Sequence, residues 1–232
     1  KKVYIVFSLA FIFFIIIDIL FAMENSNFYS KQKRNRMLAG TAALSALTVI
    51  FSFTRLGMIP WFSGASITIC HIPAILATLL YGLPSGLIVG GVFGISSLIL
   101  AATQGTGLDV FFVNPVISVL PRLALPVVVY FLDKLFVKIC ISCKKFPYLI
   151  GVGITAFLAT MFHSFFVLSM LAIFAEEVTF PMVLAILVGN SILEAAASVI
   201  VCVAVMAFRI GLGKKSKKSK LEESEDLEEA EN

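Results

Sequence analysis

Arg122 and Glu194 stand in the middle of long apolar segments, whereas the other charged residues of the chain collect at segment ends. A charge at the centre of a bilayer costs about 2.5 to 3.5 kcal/mol on insertion scales, so such residues are kept for pairing, for a buried polar site, or for both. Asn114, Ser118 and Arg122 recur at intervals of four, which lines them along one helical stripe. At about 1.5 Å per residue, Arg122 then lies about 12 Å along the axis from Asn114. Asn190 and Glu194 repeat the spacing on a later segment. Two polar stripes in an apolar bundle face each other and not lipid. Two chemistries fit. One is an ion pair between Arg122 and Glu194 that only holds helices together. The other is a polar pocket reached from outside, in which Arg122, Glu194 and the amides of Asn114 and Asn190 meet a solute's carboxylate, hydroxyl or amide groups.

The elements that position these residues follow from composition. Hydrophobic residues make up 59% of the chain and charged ones 14%, with a mean hydropathy of +1.02; soluble domains carry roughly 25% charge. The chain is therefore expected to be an integral membrane protein. At about 20 residues per span, its 232 residues hold one bundle of six or seven crossings and leave no room for a soluble catalytic domain. Function is confined to the membrane interior and its two surfaces. Apolar runs predict helices over 3–22, 37–54, 67–82, 84–103, 115–137, 147–174 and 181–209. Tyr81-Gly82-Leu83-Pro84-Ser85-Gly86 reads as a tight reversal, and Gly86, Gly90, Gly91 and Gly94 open the helix after it. The first run lacks a small-x-small cleavage site and contains Asp18, so it reads as a retained helix and not a secretory signal. Residues 1–30 then form an extra helix and linker, 31–212 a helical core, and 213–232 a charged tail.

Basic residues cluster before the second run (Lys31, Lys33, Arg34, Arg36), after the fifth (Lys134, Lys138, Lys144, Lys145) and after the last (Arg209 and residues 214–220). With seven helices all three clusters fall on one side, which makes that side and the C-terminus cytoplasmic. The net charge of +4 thus reports topology and not nucleic-acid binding. The tail passes from a basic to an acidic block with nothing to bury and is expected to lack structure, its Lys residues touching anionic lipid.

Several other residues carry two readings. Trp61 lies in a Gly/Pro-punctuated external loop, where it either belongs to a lid over an outward-facing pocket or anchors at the interface. His71, near the outer face, is a solute ligand or a satisfied interfacial residue, and His163 carries the same pair of readings. Ala39 with Ala43, and Ala42 with Ala46, are overlapping small-xxx-small pairs that let another helix approach closely, inside the bundle or on a partner. Cys140 and Cys143 form a CxxC without a second pair or a nearby His, which suits small interfacial residues better than a metal site. Glu176-Glu177 lies in an external loop without the following Arg that a paired-glutamate intramembrane protease needs. HExxH, GxSxG and P-loop patterns are missing from the sequence, so an enzyme is not expected and the chain cannot power transport alone.

The alanine pattern of residues 39–46 forms one part of a larger likeness. The others are the run Ala65-Ser66-Ile67-Thr68-Ile69-Cys70-His71-Ile72-Pro73 with the Gly-rich hairpin after it, Phe112-Val113-Asn114-Pro115 leading to Leu120-Pro121-Arg122, and Gly189-Asn190-Ser191-Ile192-Leu193-Glu194-Ala195. Together they resemble the S components, the substrate-binding membrane subunits, of energy-coupling factor (ECF) vitamin transporters, most of all the pantothenate-type branch. The resemblance implies an all-α membrane fold, a six-helix S-component bundle to which this chain adds one N-terminal helix. It implies docking of Ala39, Ala42, Ala43 and Ala46 on a membrane scaffold subunit driven by two cytoplasmic ATPases, which use ATP while this chain holds no cofactor. It places Arg122, Asn114, Asn190 and Glu194 in a vitamin pocket, and it favours the lid reading of the loop around Trp61. Pyridoxine, cobalamin and other precursors are carried by related branches. A structural or regulatory membrane protein, with Arg122 and Glu194 paired only to hold the bundle, is the rival from another class.

Overall fold

A computed structural model describes residues 31–54, 58–60, 66–105, 107–142, 147–175 and 179–230. The expected first helix, Trp61, Cys143 and Glu176-Glu177 lie outside the described residues. Helices dominate. In chain order they are α1 (Lys31–Phe53), α2 (Ile72–Tyr81), α3 (Leu83–Gln104), a 3-10 segment (Gly107–Val113), α4 (Pro115–Ser118), α5 (Leu120–Ser142), α6 (Tyr148–Phe174), α7 (Phe180–Ile186), a π-turn (Leu187–Ser191) and α8 (Ile192–Ala230). Five spans among the described residues are long and apolar enough to cross a membrane, and α2 is a shorter apolar helix. The all-α membrane architecture expected from composition is observed.

Two short strands, β1 (Met58–Pro60) and β2 (Ser66–Thr68), pair antiparallel between α1 and α2, with Met58 opposite Thr68. They correct the expected helix over 67–82: residues 66–68 pair with β1 as a strand, and Pro73 fixes the helix start at Ile72. At about 1.5 Å per residue α2 is too short to span the bilayer. It is instead the centre of the bundle, buried from Ile72 to Leu79. A helix that is apolar all round belongs in such a place. Around it pack Val89 of α3, Leu125 and Val129 of α5, Val152, Ala156 and Ala159 of α6, and Cys202 and Met206 of α8.

Gly82 joins α2 to α3 with φ of +93°, a conformation that a side chain strains, so the reversal expected there is made by one residue. Gly86, Gly90 and Gly94 then form a stripe on α3 against Pro126, Arg122 and Val119. Lipid supplies no hydrophobic drive for helices to associate, so this close backbone approach is what joins α3 to α5. On α1 the residues turned inward are Thr41, Thr48 and Ser52. Their hydroxyls donate to Met37, Leu44 and Thr48 carbonyls one turn back, which makes them burial-tolerant.

Three further expectations are corrected. The helix predicted over 115–137 is divided at Val119 into α4 and α5, with Pro115 and Pro121 on either side of the break. The helix predicted over 181–209 contains the π-turn. Its buried residues Ile186, Asn190, Glu194, Ser198, Cys202 and Met206 recur every four positions; a straight α-helix drifts about 40° per such step, and the wider turn offsets part of it. Finally, the backbone of α8 stays helical to Ala230 instead of becoming the expected structureless tail. Lys and Glu dominate that stretch, with Leu and Ala beside them, and all four are strong helix formers.

Candidate functional site

The two mid-segment charges are both turned inward, Arg122 being 7% exposed and Glu194 6%. Among the described residues they do not pair with each other, as one of the two readings had it; each has its own partners. Pro121 begins the explanation for Arg122. It has no N–H to give to the carbonyl of Ile117 four residues back, and Arg122 Nη1 donates to that carbonyl at 2.8 Å instead. The guanidinium lies between two aromatic rings, 5.3 Å from the centroid of Phe93 on α3 and 4.8 Å from that of Phe112 on the 3-10 segment. Rings at this range attract a cation. Nε is buried without a hydrogen-bond partner.

Glu194 is held from two sides. Its Oε1 accepts the backbone N–H of Thr68 at 2.6 Å and the Thr68 hydroxyl at 2.9 Å, and Oε2 accepts from Ser164 at 3.3 Å. A carboxylate taken out of water needs such donors. Asn190, one turn earlier in the π-turn, is buried with Oδ1 unpartnered. π-turns are rare and concentrate at functional sites.

His71 lies fully buried, its Nε2 at 2.8 Å from Ser198 Oγ and 3.2 Å from Thr160 Oγ1. Ser198 donates to the Glu194 carbonyl at 2.9 Å and accepts from Thr160 at 3.1 Å. The hydroxyl's own proton is thus spoken for, so His71 Nε2–H donates to Ser198. His163 stacks on His71 with centroids 5.8 Å apart, and its Nδ1 donates to the Pro121 carbonyl at 3.3 Å. His163 is held within the core, whereas His71, bonded through Nε2, keeps Nδ1 buried without a hydrogen-bond partner beside this polar centre. Asn114 does not share a continuous stripe with Arg122. It is the N-cap of α4, Oδ1 accepting from Val116 N–H at 3.0 Å, while Ser118 donates to Gly94. The interruption of the helix at Val119 weakens the spacing argument that grouped the three.

Thr68, Thr160, Ser164, Ser198, Phe93 and Phe112 belong to this polar centre without having been singled out in the sequence. Ser198 continues the Asn190–Glu194 interval of four, a signal that was present. Thr68 reaches α8 only through the tertiary fold. On the outer face of α1, Ala39, Ala42, Ala43 and Ala46 are all exposed, so the small-residue surface is not consumed inside the described bundle. Separately, a groove of about 470 Å³ between α6 and α8, bounded by Ile154, Phe157, Val199 and Val203 among others, has only apolar walls and suits no polar solute.

A multi-pass helical bundle that keeps an arginine and a glutamate buried away from lipid, with polar atoms left open among the described residues, is a membrane protein with a polar centre. The sequence matches the family described as "ECF transporter, substrate-specific component" over residues 36–207, about three quarters of the chain, and the protein belongs to that family. It is a vitamin-type substrate-capture subunit of a transporter. None of the curated proteins matches the chain.

Proposed function

We propose that this subunit captures a water-soluble vitamin, pantothenate by preference, from outside the cell and delivers it inward with an ATP-driven scaffold. One observation carries the solute reading: Arg122 is buried, fixed between two rings, and keeps a donor without a partner. A donor left open in an apolar bundle costs about 1 to 3 kcal/mol, which a carboxylate arriving from outside recovers. Asn190 Oδ1 is an open acceptor that suits a hydroxyl or amide N–H. Pantothenate offers a carboxylate, hydroxyls and an amide. Glu194 already accepts three hydrogen bonds from protein groups, and His71 gives Nε2 to Ser198 while its Nδ1 stays open.

The exposed Ala39, Ala42, Ala43 and Ala46 supply the docking surface for the scaffold subunit, to which two cytoplasmic ATPases contribute the energy. The basic residues in the first turns of α1, and Arg209 with residues 214–220 of α8, support a cytoplasmic C-terminus. Titration of the purified chain with a panel of water-soluble vitamins, read by the fluorescence of its single Trp61, tests the assignment. Saturable binding of pantothenate is the expected result; preference for pyridoxine or cobalamin replaces the solute, and binding of none overturns the capture reading.

A further inference from the structure

Glu194 does something other than meet solute. Its carboxylate oxygen takes both hydrogen-bonding groups that Thr68 offers, backbone and side chain, and Thr68 is the last residue of β2. One turn further along α8, Ser198 holds His71, and the Ser198 hydroxyl ties back to the Glu194 carbonyl. Residues four apart on α8 therefore grip residues three apart on the segment 68–71, which joins the β1–β2 ribbon to the central helix α2. The same ribbon strand also contacts the π-turn that carries Asn190.

We infer that Glu194 is a positioning residue for solute capture: it clasps segment 68–71 to α8, so that ribbon, π-turn and α2 keep one register, and it does not touch the solute. The inference rests on the capture reading above. Three acceptor contacts already occupy the carboxylate, and the shortest is to a backbone amide that no side-chain substitution at position 68 removes. Arg122 Nε, Asn190 Oδ1 and His71 Nδ1 are the open polar groups of this centre left to recognise the solute.

Amide hydrogen exchange on the full chain in lipid nanodiscs, without solute, tests the clasp. Glu194→Ala raises exchange at Thr68 roughly tenfold or more, the order expected for loss of a hydrogen bond to a charged acceptor, while α2 amides keep their wild-type rates. Glu194→Gln retains an acceptor oxygen and restores most of the protection. Unchanged Thr68 exchange in Glu194→Ala overturns the clasp. Pantothenate uptake by the chain with its scaffold and ATPases tests the role. Thr68→Val raises the half-saturation concentration, and Thr68→Val with Glu194→Ala is no worse than Glu194→Ala alone, because both break one unit. Wild-type half-saturation in Thr68→Val, with Glu194→Gln as damaging as Glu194→Ala, shows the solute reading the charge directly and overturns the positioning role. If the wild-type complex takes up no pantothenate, the solute assignment fails, and the exchange measurement still decides the clasp.

Discussion

A Cβ built on Gly90 stands 2.5 Å from the carbonyl oxygen of Arg122 and 3.1 Å from Pro126. The depth of Arg122 in the bundle is therefore set by the absence of a side chain on the facing helix. Gly90→Ala forces α3 and α5 apart and costs about 1 to 3 kcal/mol, the usual range for overpacking. Gly91→Ala, whose Cβ meets only Leu123 at an ordinary 3.8 Å, is tolerated. Thermal unfolding in detergent, compared between the two variants, checks the difference; equal losses contradict the α3–α5 contact.

Arg122→Lys keeps the charge and loses the planar fork. A lysine cannot both cover the Ile117 carbonyl left open by Pro121 and present a second donor from between Phe93 and Phe112. Solute affinity is expected to fall about tenfold to a hundredfold, the range of one or two charge-assisted hydrogen bonds. Equilibrium binding to the purified subunit measures it.

Ser198→Ala removes the hydroxyl on which His71 and Thr160 converge. The buried imidazole and threonine lose a shared partner, and stability drops by about 1 to 3 kcal/mol. The variant keeps its order of preference among vitamins, because the open groups of Arg122 and Asn190 are unchanged. A thermal shift with altered selectivity contradicts a purely structural role for the Ser198–His71 bond.

Ala43→Trp places a large ring on an exposed position of α1. The isolated subunit folds and binds solute as the wild type does, and co-purification with scaffold and ATPases is lost. Gly40→Leu is the contrasting variant: a Cβ there collides with the Tyr81 ring, so it damages the bundle itself. Wild-type assembly in Ala43→Trp contradicts docking through the alanine surface.

The inward placement of Arg122 and Glu194 was legible because a charge in an apolar run has few tolerable places to go. Which partners they take was not. Thr68 lies 126 positions from Glu194, and nothing local to either residue points to the other. The stripe through Asn114, Ser118 and Arg122 assumed one straight helix; Pro115 starts α4 and makes Asn114 its cap, and the interruption at Val119 divides the rest. The reversal at Gly82 was legible for the opposite reason, since Pro and Gly act through their own backbones. The strands β1 and β2 were missed because three-residue segments of Met, Ile, Pro, Ser and Thr carry no period that separates them from the adjoining apolar run. The alternation of four along α7, the π-turn and α8 was present in the sequence, yet the wider turn that sustains it gives no compositional sign.

Binding of labelled pantothenate to wild-type subunit and to Arg122→Gln, in the absence of scaffold and ATPases, tests most directly whether an inward arginine with an open donor recognises the solute. The account predicts saturable binding to the wild type and a loss of at least about tenfold in Arg122→Gln, with the variant still folded by thermal unfolding. Equal affinity in the two proteins would contradict it.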